Sequence, residues 1–99
     1  MTPRRGTLPK FDWENADTVD EADEPPITPV QCRMARAGIA MSVRELARLA
    51  EVSGLTVTRF ENGNMDCSAD IVGRFKYVLE KRGARFLSDG DRVGVMTLE

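Results

Sequence analysis

The chain has 99 residues, of which 41% are apolar and 30% charged, a balance that suits one small globular domain. No run reaches the roughly 20 apolar residues of a membrane helix. Arg4 and Arg5 precede no apolar stretch, so no secretory signal is expected. Histidine is absent, and Cys32 and Cys67 stand far apart without a CxxC partner, which leaves no ligand set for zinc and points to reduced thiols in a cytoplasmic protein.

The net charge of −2 is unevenly spread. Residues 1–26 hold three basic and seven acidic side chains, a balance of −4, whereas residues 27–99 hold 11 basic and 9 acidic ones, a balance of +2. The first segment, with four prolines and no sustained apolar period, cannot bury enough surface to offset chain entropy and is expected to be a disordered acidic tail. Phe11 and Trp13 among the acids read either as a solvated stretch or as a short segment that orders on a protein partner.

A mainly α domain is expected over residues 27–83. Thr28 is an N-cap candidate with Pro29 at the first helical position, where its missing N–H costs nothing. Val30, Met34 and Ala37 are the expected inner stripe of this helix, Arg33 and Arg36 its outer side, and Gly38 its end. Ile39 and Met41 are expected to cover the core. Ser42 and Glu45 have the spacing of a capping box, and Leu46, Ala47, Leu49 and Ala50 follow at helical period. Ser53 offers another cap, Val57 and Phe60 give the next short helix a buried side, and Asn62-Gly63 closes it. Two short helices joined by about three residues form a helix-turn-helix, whose second helix is commonly placed in the major groove of DNA.

Ser68 caps the longest expected helix, with Ile71, Val72, Phe75, Val78 and Leu79 as its apolar stripe and Gly83 as its stop. Residues 84–99 change period. Ala84 to Leu87 and Val93 to Leu98 read as strands around the turn residues Ser88 to Asp91. A hairpin alone is marginal in water, so it is expected to pack on the last helix, with Phe86 and Val95 over Phe75 and Leu79, or to pair with another chain.

The stretch from Ser42 to Gly63 resembles the helix-turn-helix of the Xre/lambda-repressor-like family of phage and bacterial regulators. Glu45-Leu46-Ala47, Val52-Ser53 and Phe60-Glu61-Asn62-Gly63 carry the resemblance, which extends over roughly residues 27–83. Val43 departs from the family's frequent Gln, which removes a group that often reaches the DNA backbone. Glu51 departs from the usual Gly in the turn and must accept a left-handed or otherwise awkward backbone. The resemblance implies a four-helix lambda-repressor-like domain that reads bases from the positions of Gly54, Leu55, Thr58 and Arg59.

Arg59 suits guanine O6 and N7, Thr56 and Thr58 suit several bases or a thymine methyl, and Leu55 offers only apolar contact. Ser53 serves as cap and phosphate donor, with Arg44 and Arg48 as further backbone contacts. No glycine-rich phosphate loop and no nucleophile beside an evident base is present, so neither catalysis nor a cofactor is expected. The expected function is sequence-specific transcription regulation on double-stranded DNA. A homodimer is expected because one short helix reads too few base pairs. The alternative is an antitoxin or adaptor acting through protein contacts of the tail or hairpin.

Overall fold

Each helix begins where a hydroxyl takes up an otherwise unpaired N–H. Thr28, Ser42, Ser53 and Ser68 each accept from the backbone N–H three residues on, and each is in extended backbone conformation. The computed structural model describes residues 26–64 and 66–98. Within them the caps open α1 (Pro29–Gly38), α2 (Val43–Ala50), α3 (Gly54–Glu61) and α4 (Ala69–Lys81), followed by β1 (Arg85–Asp89) and β2 (Arg92–Met96). The expectation of a disordered tail falls on residues 1–25, which lie outside the described residues.

The helix ends are as regular as their starts. After each helix one N–H bonds to the carbonyl five residues back in a Schellman pattern: Met41 to Arg36, Val52 to Ala47, Asn64 to Arg59 and Ala84 to Leu79, at 2.9–3.1 Å. The left-handed position in that pattern is filled by Gly63 (φ 94°) and Gly83 (φ 105°), but also by Ala40 (φ 59°) and Glu51 (φ 64°). A side chain with Cβ is strained there. The awkward backbone expected at Glu51 is thus present, and the same strain at Ala40 was not foreseen from Gly38.

Ile27, Leu46, Val57, Phe60, Val72, Phe75 and Leu79 are buried in one core, with the Phe60 and Phe75 rings 5.6 Å apart and tilted by 43°. Burial of the α2 and α4 stripes agrees with the periodicity, Leu49 and Ile71 being only partly covered. No described helix is long and apolar enough to cross a membrane.

Helix α1 is turned relative to expectation. Val30 and Met34 are 43% and 37% exposed and Ala37 is exposed, whereas Gln31, Cys32 and Ala35 face inward. The polar residue wins the inner position because every polar atom of its side chain is bonded. Gln31 Oε1 accepts from Thr28 N at 3.0 Å, closing a full capping box, and Nε2 donates to Leu87 O at 2.9 Å and Gly94 O at 3.1 Å. Arg36 is likewise not an outer charge but an ion-pair partner of buried Glu61. At α2 the capping box is only half made. Ser42 accepts from Glu45 N, while the Glu45 carboxylate is drawn to Arg48 at 3.1 Å and Arg82 at 3.3 Å.

The antiparallel hairpin pairs Asp89 with Arg92, Leu87 with Gly94 and Phe86 with Val95, so two residues, Gly90 and Asp91, make the turn. Gly90, at φ 66°, takes the first central position, a turn whose twist matches the strands. β1 therefore starts one residue later than expected, after Ala84, and reaches into the expected turn through Ser88 and Asp89; β2 starts one residue earlier, at Arg92, and Thr97 and Leu98 follow it. The hairpin packs chiefly on α1 through β2, and Phe86 and Val95 are partly buried against the core to which Phe75 and Leu79 belong. Beyond the Gln31 bonds, Thr97 lies so close to Gly38 that a Cβ there would come within 2.7 Å of its methyl carbon.

Candidate nucleic-acid interface

Helix α3 is fixed at both ends before its outer face is considered. At the start, Ser53 Oγ accepts from Thr56 N at 3.1 Å and lies 3.0 Å from the Thr56 hydroxyl. At the end, Glu61 is 4% exposed and its carboxylate is grasped by α1. Arg36 reaches both oxygens, Nε to Oε2 and Nη2 to Oε1, each at 2.7 Å, and sends Nη1 to Met41 O at 3.0 Å. The Cys32 thiol donates to Oε2 at 3.1 Å, and Arg33 bonds the Glu61 carbonyl. Burial, then the neighbouring carboxylate, pushes the Cys32 thiol well above its ordinary range, so it stays protonated and acts as a donor. A buried bidentate Arg–carboxylate pair sets distance and angle together.

Held this way, α3 turns Val57 and Phe60 into the core. At about 100° per residue, Gly54, Thr58, Leu55 and Arg59 fall within an arc of about 140° on the opposite side. Leu55 is 65% exposed, Thr58 and Arg59 are exposed, and Gly54 and Thr56 are half-buried. A shallow groove between the helices is lined by Val43, Arg44, Ala47, Arg48, Val52, Gly54 and Thr58. The expected site residues Ser53, Gly54, Leu55, Thr56, Thr58, Arg59, Arg44 and Arg48 therefore lie on adjoining surfaces of α2 and α3. Gly54 is not demanded by crowding, since a Cβ there would meet only Val43 Cγ1 at 4.0 Å.

The charges of this surface are partly engaged. Arg59 pairs with Asp66 at 3.1 Å, and the Asp66 N–H is in turn bonded to Asn64 Oδ1 at 3.2 Å. Arg48 shares Glu45 with Arg82, and these two guanidiniums, Arg48 first, hold the Glu45 carboxyl below the usual range. Arg44 is exposed and has no ion pair among the described residues. Exposed pairs contribute little and exchange readily, so a phosphate or base can displace Asp66 or Glu45 at small cost. Chemically, the surface offers one guanidinium suited to guanine, three hydroxyls (Ser53, Thr56 and Thr58) of mixed donor and acceptor character, one apolar group suited to a thymine methyl, and two flanking guanidiniums.

Sequence reasoning missed Asp66 and the whole Glu61 cluster. The only local signal for Glu61 was its place in Phe60-Glu61-Asn62-Gly63, while its partners lie 25 to 29 residues earlier. No protein-family model and no curated protein matches this chain.

Proposed function

We propose that this protein is a cytoplasmic, sequence-specific DNA-binding regulator of the lambda-repressor-like kind, which lays α3 in the major groove and acts as a homodimer. The observation that carries the reading is the outward arc of half-buried Gly54 and exposed Leu55, Thr58 and Arg59 on a helix clamped at both ends, with Arg44 and Arg48 beside it. Docking by the N-terminal half of a recognition helix needs that rigidity, because base contacts are lost by displacements well under a groove width. Arg59 is the principal base reader, Leu55 and Thr58 supplement it, and Ser53, Arg44 and Arg48 hold phosphates. The folded part is mildly basic, at +2 over residues 27–99, and the salt dependence of binding follows the number of phosphates that Arg44 and Arg48 neutralise.

Selection of bound duplexes from a random pool tests the reading. Enrichment of a two-fold symmetric motif, with half-sites about one turn (~34 Å) apart, is the expected result. Recovery of the unselected pool in every round would leave the chain without a sequence-reading role.

A further inference from the structure

We infer that the free edge of β2, together with the outer stripe of α1 beside it, is the surface on which a second copy of this chain docks. This rests on the homodimeric reading above for its purpose, and on the following geometry for its place. Asp89 and Arg92 close the two-residue turn as a hydrogen-bonded pair. Antiparallel pairs alternate between bonded and non-bonded, which makes Leu87–Gly94 bonded and leaves Val93 and Val95 with N–H and C=O directed away from β1. The Gln31 amide confirms the alternation: one nitrogen reaches both Leu87 O and Gly94 O, as only carbonyls on the inside of the hairpin allow.

Among the described residues β1 and β2 form a two-stranded sheet, and no turn, cap or loop bond takes up the Val93 or Val95 backbone. Past Arg92 at its start, the edge from Val93 to Leu98 has neither charge nor proline to guard it. Around α1, the face holding Gln31 and Gly38 meets β2, the core lies on one flank, and Val30, Met34 and Ala37 occupy the other. A strand added to β2 lies over that stripe and covers the apolar groups that α1 leaves exposed.

The occupant follows from what can pair there. Residues 1–25 contain no stretch longer than three residues free of both proline and charge, Gly6-Thr7-Leu8 being the longest. The strand that matches the edge in length and neutrality is β2 itself. Antiparallel pairing about Gly94 sets Val93 opposite Val95 of the partner subunit and forms four backbone bonds. It also sets Arg92 opposite Met96 of the partner subunit, so the two cations fall at opposite ends instead of side by side.

Sedimentation equilibrium of the full chain, without DNA, tests this. The wild type is expected to dimerise. Val93→Pro removes one outward N–H yet spares the hairpin ladder, and Met34→Lys charges the stripe; each is expected to weaken the dimer by about tenfold or more with helical circular dichroism unchanged. Val93→Thr, which keeps the N–H, is expected to dimerise like the wild type. Should Val93→Pro fail to fold, hydrogen exchange of the wild-type Val93 and Val95 amides replaces it, with protection that rises with protein concentration as the expected result. A monomeric wild type, a dimer indifferent to Met34→Lys and Val93→Pro, or concentration-independent exchange at both amides overturns the inference. A monomer that enriches a DNA motif leaves the DNA-binding reading standing, and a dimer with this edge that enriches none overturns only that reading.

Discussion

The two sides of α3 are built in opposite ways. Its end is gripped from within: Glu61, Arg36 and Cys32 form a nearly dry polar cluster in which each carboxylate oxygen is bonded. Its outer arc carries one guanidinium on a loosely held, half-exposed ion pair and a leucine in water. In the proposed docking, orientation comes from groups that never meet DNA, and contact from groups that contribute little to the fold. Substitutions on the two sides should therefore separate stability from binding.

The largest effect is expected from Arg36→Met. It leaves the Glu61 carboxylate buried without its cation, at a cost of about 3–5 kcal/mol in urea unfolding. Pairing it with Glu61→Leu should recover much of that loss, because the desolvated charge is then gone. A loss under about 1 kcal/mol for the single variant would show that water reaches Glu61 and that the grip is weaker than its geometry implies.

On the other side, Arg59→Ala is expected to change unfolding stability by less than about 0.5 kcal/mol, since only an exposed pair is lost. Its cost in specific binding is expected to be ~1–3 kcal/mol, with preference relaxed at one base position. Equal weakening on all sequences, with their ranking unchanged, would make Arg59 a phosphate contact. Gln31→Ala falls between the two sides. It is expected to cost about 1–2 kcal/mol, because Thr28 N loses its acceptor and the hairpin its clasp. Amide exchange in β1 and β2 should accelerate more than in α4, and uniform acceleration would count against a local clasp.

Glu80 gives the smallest effect and a pH signature. Its Oε2 is buried without a hydrogen-bond partner, and burial raises its pKa against the opposing pull of Lys76 and Arg85. The folded state therefore binds this proton more tightly than the unfolded chain, and the contribution of Glu80 to stability falls as pH rises through the window between the two pKa values. At neutral pH Glu80→Gln should stabilise by up to about 1 kcal/mol. The gain should fade as pH falls and the wild-type carboxyl takes up its proton. A pH-independent gain would assign it to something other than ionisation.

These contrasts also explain what could be read from the residues alone. The caps at Thr28, Ser42, Ser53 and Ser68 were legible because each cap hydroxyl and the N–H that donates to it lie three residues apart, and the α4 stripe because it is carried by one period. The orientation of α1 was not. Val30, Met34 and Ala37 have the better apolar pattern; the Thr28–Gln31 capping box was the one local sign against it, and the remaining partners of Gln31 and Arg36 that turn the helix lie 25 to 63 residues away. The hairpin's seat on α1 was hidden for the same reason, since it depends on an amide reaching two backbone carbonyls that no side-chain pattern marks. The arc on α3 was recognisable in sequence, but Asp66 as the partner of Arg59 emerges only once the loop after α3 is folded.

The most direct test of the central claim is a backbone-amide NMR titration of the full chain with the duplex enriched by selection. Lying in the groove, α3 should show its largest shift changes from Ser53 to Arg59, with smaller ones at Arg44 and Arg48 and almost none along β1. Changes confined to the hairpin and α1, with the α3 amides unmoved, would contradict the account.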